Sequence, residues 1–173
     1  MYRKLLLAII INALFCLCSP YAFADSKKDI ETIAQVIEFM NNGPTGRVEM
    51  AVVYDPSNAD SVQHANDIMS WASDGIGSKI KLVPHKVAIS AVSSSNAPIF
   101  FLTRGSNNCY PEALAKAKSN NGLTVSTDVS CLGQGCVLVV QTLPRVNILV
   151  STDAQSRTGV KFSPAFSLIV TMR

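Results

Sequence analysis

Helical and strand-like hydrophobic patterns alternate along the chain after its apolar N-terminal stretch. Residues 28–40 repeat isoleucine on one helical stripe and are followed by a Gly-Pro pair, which predicts an amphipathic helix with a sharp end. Residues 47–54 form a nearly continuous apolar run, and such runs are typical of a strand buried on both faces. The mature chain therefore begins as a helix followed by a buried strand.

The same patterns continue to the C-terminus. The predicted elements are a helix from Asp60, strands at 79–87, 98–103 and 123–127, a helix at 111–119, a hairpin of 137–141 with 146–151, a short helix from Asp153 and a last helix from Ser163. Asp60 with Gln63 fits a capping box, and Ser163 with Pro164 fits a helix start. Strands separated by helices predict an α/β fold: one domain, a mixed and mostly parallel sheet with helices on both faces, a C-terminal β-hairpin and a terminal helix.

The N-terminus has the three parts of an export signal. Arg3 and Lys4 precede the apolar run 5–17, and Ala22-Phe23-Ala24 fits a cleavage site. We therefore expect residues 1–24 to be a signal peptide cleaved after Ala24, and residues 25–173 to be a periplasmic α/β domain. An uncleaved anchor and a lipoprotein are the alternatives, although neither Cys16 nor Cys18 follows the small residue that a lipobox requires.

Composition narrows the function classes. The full chain has 15 basic and 12 acidic side chains, so removing Arg3 and Lys4 leaves 13 against 12, a net charge of +1. Without a basic stripe or interleaved aromatics, nucleic-acid binding is disfavoured. Without a block of charge or a second long apolar run, we expect no direct membrane insertion after signal cleavage.

Three cysteines follow the predicted cleavage site. In an oxidising compartment two of them usually pair, and Cys131 with Cys136 is the local choice, across a turn with two glycines. Cys109 would then be a free thiol; pairing of Cys109 with one of the other two is the alternative. The spacing is not Cys-x-x-Cys, so a thioredoxin-type redox motif is absent.

Catalytic signatures are missing from the sequence. No Gly-x-Ser-x-Gly occurs, and the serine run 93–95 has no paired histidine. His64 is expected on or near the exposed side of its helix, and His85 lies in a strand; neither belongs to a ligand cluster, so no metal or cofactor is expected. The Gly133-Gln134-Gly135 segment does not open a helix and is not a phosphate loop. We therefore expect no enzyme activity.

Polar residues at strand ends are the candidate contacts. Asp55 and Asp128 each follow a predicted strand, where α/β folds often place ligand contacts, although an aspartate there also forms turns. The segment 53–58 is similar to the first strand and turn of solute-binding lobes. By that hypothesis Asp55, Asn58 and Asp128 contact a small molecule.

An ordered set of motifs in the later part of the chain resembles the YfiR/HmsC-like periplasmic proteins. The matching segments are 97–102 (APIFFL), 122–128 (GLTVSTD), the glycine-bearing loop 131–136, the paired strands 137–140 and 146–150, and 158–163 (TGVKFS). The family's Phe-x-x-Trp-Pro element is only partly present, because Phe39 and Pro44 occur without the tryptophan. The chain therefore resembles a divergent member.

The resemblance implies a non-enzymatic regulator. Such proteins bind the periplasmic sensory domain of an inner-membrane signalling protein, commonly a diguanylate cyclase that makes cyclic di-GMP, hold it inactive and release it under envelope or redox stress. The loop from Cys131 to Cys136 would shape or steady the partner-binding surface. The partner, the signal and whether the protein is a homodimer stay open.

Overall fold

The computed structural model describes residues 27–173, so the predicted signal peptide lies outside the described residues. The helices and strands, in chain order, are α1 (Lys27–Ile37), β1 (Gly46–Tyr54), α2 (Ala59–Trp71), β2 (Ile80–Ala88), β3 (Ile99–Leu102), α3 (Tyr110–Ser119), β4 (Leu123–Ser126), β5 (Leu138–Gln141), β6 (Asn147–Val150), α4 (Thr152–Thr158) and β7 (Thr171–Met172). Short 3₁₀ turns at Ile89–Ser94, Asn107–Cys109, Val129–Cys131 and Phe166–Leu168 lie between them.

The seven strands form one mixed sheet in the order β2-β1-β3-β4-β5-β6-β7. Neighbours are parallel from β2 to β5, β5 and β6 are antiparallel, and β7 runs parallel to β6. The single-domain α/β fold and the C-terminal hairpin are therefore as predicted. The reversal that puts β2 and β3 on opposite sides of β1 creates a switch point at the carboxyl ends of β1 and β3.

Two hydrophobic layers cover the sheet. One joins α1 and α2 to one face and includes Ile33, Val52, Ile68 and Phe101. The other joins α3 and the cysteine loop to the opposite face and includes Val53, Phe100, Tyr110 and both Cys131 and Cys136. Alternate residues of a strand point to opposite faces, so Met50, Ala51, Val52 and Val53 of β1 are all fully buried, as the continuous apolar run predicts.

The predicted terminal helix is wrong. After Ser163 the chain makes a 3₁₀ turn at Phe166–Leu168 and then the short strand β7. Phe166 alone of this segment is fully packed, against Phe39 and Phe162, whereas Leu168 and Ile169 are exposed. A helix here would bury only one side chain, Phe166, so it would gain little from packing. The chain instead satisfies its backbone hydrogen bonds by pairing β7 with β6.

The predicted capping box is also wrong. Asn58, not Asp60, is the N-cap of α2, and its side-chain oxygen accepts from the backbone N–H groups of Asp60 and Ser61 at 3.0 and 3.2 Å. Asn58 is as good a cap as aspartate and comes first after the turn at Pro56. The helix therefore begins at Ala59, one residue earlier than expected.

Candidate functional site

The switch point brings the loops after β1 and β3 together. Asp55 directly follows β1, and Thr103 directly follows β3, its parallel neighbour. The chain leaves β1 toward β2 and leaves β3 toward β4, and α/β sheets often bind ligands at such a reversal of strand order. This edge carries the polar residues singled out from the sequence.

A line of hydroxyl groups joins the two loops to α2. The backbone N–H of Asp55 donates to Ser61 Oγ at 2.8 Å, and Ser61 Oγ lies 2.7 Å from Thr103 Oγ1. Thr103 Oγ1 donates to the Val53 carbonyl at 2.8 Å, so the Ser61 hydroxyl is the donor to Thr103. Both hydroxyls are fully buried and satisfied, and they tie the ends of β1 and β3 to α2.

The Asp55 carboxylate is held in its charged form by Ser57. Its Oδ1 accepts from Ser57 Oγ at 2.6 Å and from the Ser57 backbone N–H at 2.8 Å. These two bonds lower the pKa of Asp55 below 3.8, although burial acts in the opposite direction. The carboxylate at the carboxyl end of β1 is therefore negatively charged at neutral pH.

Asn58 bridges the two loops. While its Oδ1 caps α2, its Nδ2 lies 3.5 Å from the Gly105 carbonyl in the loop after β3. Gly105 has φ +76°, which strains other residues, and a Cβ there would stand 2.5 Å from Asn58 Nδ2 and displace that side chain. Of the three predicted contacts, the structure brings Asp55 and Asn58 into one loop.

His64 is a site residue that the sequence expectation misplaced. It is 1% exposed, its Nδ1 accepts from the Arg104 backbone N–H at 3.1 Å, and its ring meets Phe101 edge-on. Expecting it near the surface was therefore wrong. The signal was present in the sequence, because His64 lies three residues after the buried Ser61 and four before the buried Ile68, on one face of α2.

Asp128 lies one strand farther along the sheet, after β4. Its Oδ1 accepts from the Ser130 N–H at 2.9 Å, which caps the short turn leading into Cys131. Its charge also adds to the effect of burial in raising the pKa of Tyr110 to about 12. Asp128 therefore lies at the start of the cysteine loop. It is a second carboxylate at the carboxyl edge of the sheet.

The cysteine loop is closed by a disulfide between Cys131 and Cys136. Their Cα atoms are 5.3 Å apart, and both residues are fully buried. The Cys131 carbonyl accepts from three backbone N–H groups of the loop at 3.1 Å each, and Thr124 Oγ1 donates to the Gly135 carbonyl at 2.7 Å. Covalent closure and these bonds leave the loop little conformational freedom.

Cys109 is the free cysteine of the described residues, and it is buried. Its Sγ donates to the Ser106 carbonyl at 3.1 Å, and burial raises the pKa of the thiol to about 11. The thiolate is the reactive form of cysteine. Cys109 is therefore an inert packing residue at neutral pH.

Residues 27–173 contain no group of three or more His, Cys, Asp or Glu side chains placed to hold a metal ion. None of their helices combines the length and apolar character needed to span a bilayer. Two grooves of about 330 and 320 Å³ lie at the opposite, amino edge of the sheet, and Asp55, Asn58 and Asp128 line neither of them.

Comparison with known proteins identifies shared architecture only. No protein-family model matches the chain, and no curated protein matches it. A conserved domain protein from Vibrio cholerae O1 biovar El Tor is similar in structure at 13% identity and TM-score 0.59, covering 84% of this chain and 59% of that one.

Two further solved structures are similar over the same fold. An ABC domain in complex with L-Trp from Streptococcus pneumoniae matches at 8% identity and TM-score 0.56, covering 84% of this chain and 59% of that one. A ligand-free, open substrate-binding protein with adhesive properties from Clostridium difficile matches at 12% identity and TM-score 0.61, covering 87% and 60%. The chain thus spans about three fifths of each neighbour and shares its α/β fold.

Proposed function

We propose that this chain is a non-enzymatic periplasmic regulator of the YfiR/HmsC-like kind. It binds the sensory domain of an inner-membrane signalling protein, commonly a diguanylate cyclase, and holds that protein inactive. The ordered motifs of the later part of the chain support this, because they fall on contiguous elements of the structure: β3, β4, the cysteine loop, β5 and β6.

The observation that carries the proposal is the rigid cysteine loop. Its sulfur atoms face the core, whereas Gly133 and Gln134 at its tip and Val129 at its base are exposed. A surface that is already ordered loses little conformational entropy on binding, which favours a protein contact. Because Cys131 and Cys136 are both fully buried, a redox response would require the loop to open first.

Site-specific crosslinking tests the proposal. A photoreactive amino acid at Gln134 should capture a membrane protein with a periplasmic domain in the native host, and the same group at Gln63, on the exposed side of α2, should not. Deletion of the gene should raise cyclic di-GMP. Unchanged cyclic di-GMP together with equal capture from the two positions would contradict the regulator role.

A second candidate function is the binding of a small solute at the switch point. The fixed Asp55 carboxylate and Asn58 at the switch point favour it, and two of the structural neighbours are described as ligand-bound or substrate-binding proteins. A ligand at 100 times its Kd stabilises the folded state by about 2.7 kcal/mol, which a thermal-shift screen of metabolites detects. A stabilising metabolite whose effect is lost in Asp55→Asn but kept in Asp60→Asn would support this candidate; a screen without hits would count against it.

A further inference from the structure

The larger of the two grooves at the amino edge of the sheet is mainly polar. It has a volume of about 330 Å³, and we call it the asparagine groove. Three asparagines line it together with one lysine and two large apolar residues, namely Asn41, Asn42, Asn121, Lys161, Met40 and Val160. Its lining contains no aspartate or glutamate. The asparagine groove therefore combines amide groups with one positive charge, at the opposite edge of the sheet from Asp55.

Backbone pairing holds two walls of the asparagine groove together. Met40 forms an isolated antiparallel bridge with Phe162, and the Asn41 N–H donates to the Lys161 carbonyl at 2.8 Å. This pairing ties the turn that follows α1 to the chain that follows α4. Segments far apart in sequence are therefore fixed side by side along the groove.

The third wall is the turn between α3 and β4, which contains Asn121. The Gly122 N–H donates to the Ala117 carbonyl at 2.8 Å, which closes the end of α3. The Leu123 N–H donates to the Pro98 carbonyl at 2.8 Å, which ties the start of β4 to the chain before β3. The turn is thus anchored directly after Asn121.

Two of the three asparagines have a backbone conformation that side chains rarely adopt. Asn42 has φ +56° and Asn121 has φ +52°. Every other residue of 27–173 with a positive φ is a glycine, so both exceptions line the same groove. Glycine adopts this conformation without strain, whereas strained residues with side chains cluster at functional sites. The coincidence points to a use for the two amide groups.

The polar side chains of the asparagine groove are exposed and available to a ligand. No hydrogen bond within residues 27–173 uses the amide group of Asn41, Asn42 or Asn121. A local side-chain bond, which often stabilises a left-handed asparagine, therefore does not account for the two unusual φ values. Lys161 likewise forms no ion pair within the described part of the chain.

We propose that the asparagine groove binds a sugar acid, which is a saccharide with one carboxylate. Each amide group both donates and accepts hydrogen bonds, as a sugar hydroxyl does. The Lys161 ammonium matches one carboxylate, and no lining carboxylate opposes it. Met40 and Val160 add apolar surface to the lining, which suits the C–H groups of a sugar ring. A cationic ligand would meet the ammonium group without a compensating negative charge.

Titration followed by NMR tests the proposal. Glucuronate, galacturonate and N-acetylmuramate are added separately to ¹⁵N-labelled protein, and at least one should shift the side-chain amide signals of Asn41, Asn42 and Asn121. Asn42→Gly and Asn121→Gly should each weaken its binding roughly fivefold, as expected for the loss of one hydrogen bond. Glycine adopts these φ values without strain, so both variants should fold as wild type does, which thermal unfolding verifies.

The positive charge is tested with a pair of ligands. Lys161→Gln should weaken binding of the sugar acid roughly tenfold and leave the weaker binding of its neutral parent sugar unchanged. The control variants Asn108→Gly and Lys28→Gln remove an exposed amide and an exposed ammonium group outside the groove. Both should bind the sugar acid as wild type does.

Three results would overturn the proposal. The first is that none of the three sugar acids shifts the amide signals. The second is unchanged binding in Asn42→Gly and Asn121→Gly, because the asparagines would then serve only their turns. The third is equal weakening of acid and neutral sugar in Lys161→Gln. Asp55→Asn should leave this binding unchanged, so the outcome is independent of both functions proposed above.

Discussion

Gly135 lies against the start of α3 so closely that a Cβ on it would stand 2.5 Å from the Tyr110 carbonyl oxygen. Gly135→Ala should therefore force the cysteine loop or the helix to shift and lower the free energy of unfolding by about 1–3 kcal/mol. Urea unfolding measures this. The control Gln134→Ala changes the exposed neighbour in the same loop and should stay within about 0.5 kcal/mol of wild type. A fully stable Gly135→Ala would mean that the loop is not packed on Tyr110.

The disulfide should contribute modestly to stability. Closing so small a loop constrains the unfolded chain by about 2 kcal/mol, so Cys131→Ser with Cys136→Ser should lower the free energy of unfolding by at least that amount. Urea unfolding of the oxidised and reduced wild type provides the comparison. If the reduced wild type and the double variant have the same free energy of unfolding as the oxidised protein, the loop is held by its hydrogen bonds alone.

The cap of α2 can be assigned by mutation. Asn58→Ala removes the acceptor for two N–H groups and should cost about 1 kcal/mol of unfolding free energy. Asp60→Ala removes only an exposed charge in the first turn and should cost roughly 0.3 kcal/mol. Thermal or urea unfolding of the pair decides between them, and the reverse order of effects would restore Asp60 as the cap.

Asp55 should make stability fall in acid. Its folded pKa lies below the unfolded value of 3.8, so its contribution is fully present above that value and is lost as pH falls through the folded pKa. The stability difference between wild type and Asp55→Asn should therefore close in strong acid. Urea unfolding over a pH series measures it, with Asp60→Asn as the control; a difference that does not change with pH would contradict the role of Ser57.

Cys109 should make stability fall at alkaline pH. Its pKa rises from 9.0 to about 11 on folding, so the buried neutral thiol stabilises the fold below pH 9.0 and this contribution is lost as pH rises toward 11. Cys109→Ala should remove the decline between pH 9.0 and 10.0. The decline above pH 10.0 should remain, because Tyr110 changes from 10.0 to about 12. Unchanged alkaline curves would show that Cys109 is accessible to water.

The sheet was predictable from sequence because β1 and β3 are buried on both faces. Met50 to Val53 and residues 99–102 are apolar runs without a polar residue. Such short runs favour a strand in the centre of a sheet, where both faces are covered. Gly159 directly follows the end of α4, whereas α1 ends at Ile37, three residues before the predicted end at residue 40.

Tertiary packing decided the parts that the sequence did not reveal. The segment 163–170 is apolar nearly all round, and only the docking of Phe166 on Phe39 and Phe162 selects a short turn instead of a helix. His64 acquired its place through a backbone N–H donated by Arg104, 40 positions away in sequence. The positions of Asp55 and Asp128 at strand ends were predictable, whereas the fixing of Asp55 by Ser57 depends on the turn geometry.

Pro84 lies in β2, the outermost strand at one end of the sheet, between the basic residues Lys81 and Lys86. A proline cannot donate to an added strand, and like-charged lysines disfavour a close neighbour of the same kind. Ile76 already exchanges two backbone hydrogen bonds with Leu82 of β2, so proline, lysines and this pairing together disfavour the addition of a strand from another chain on this side of the sheet.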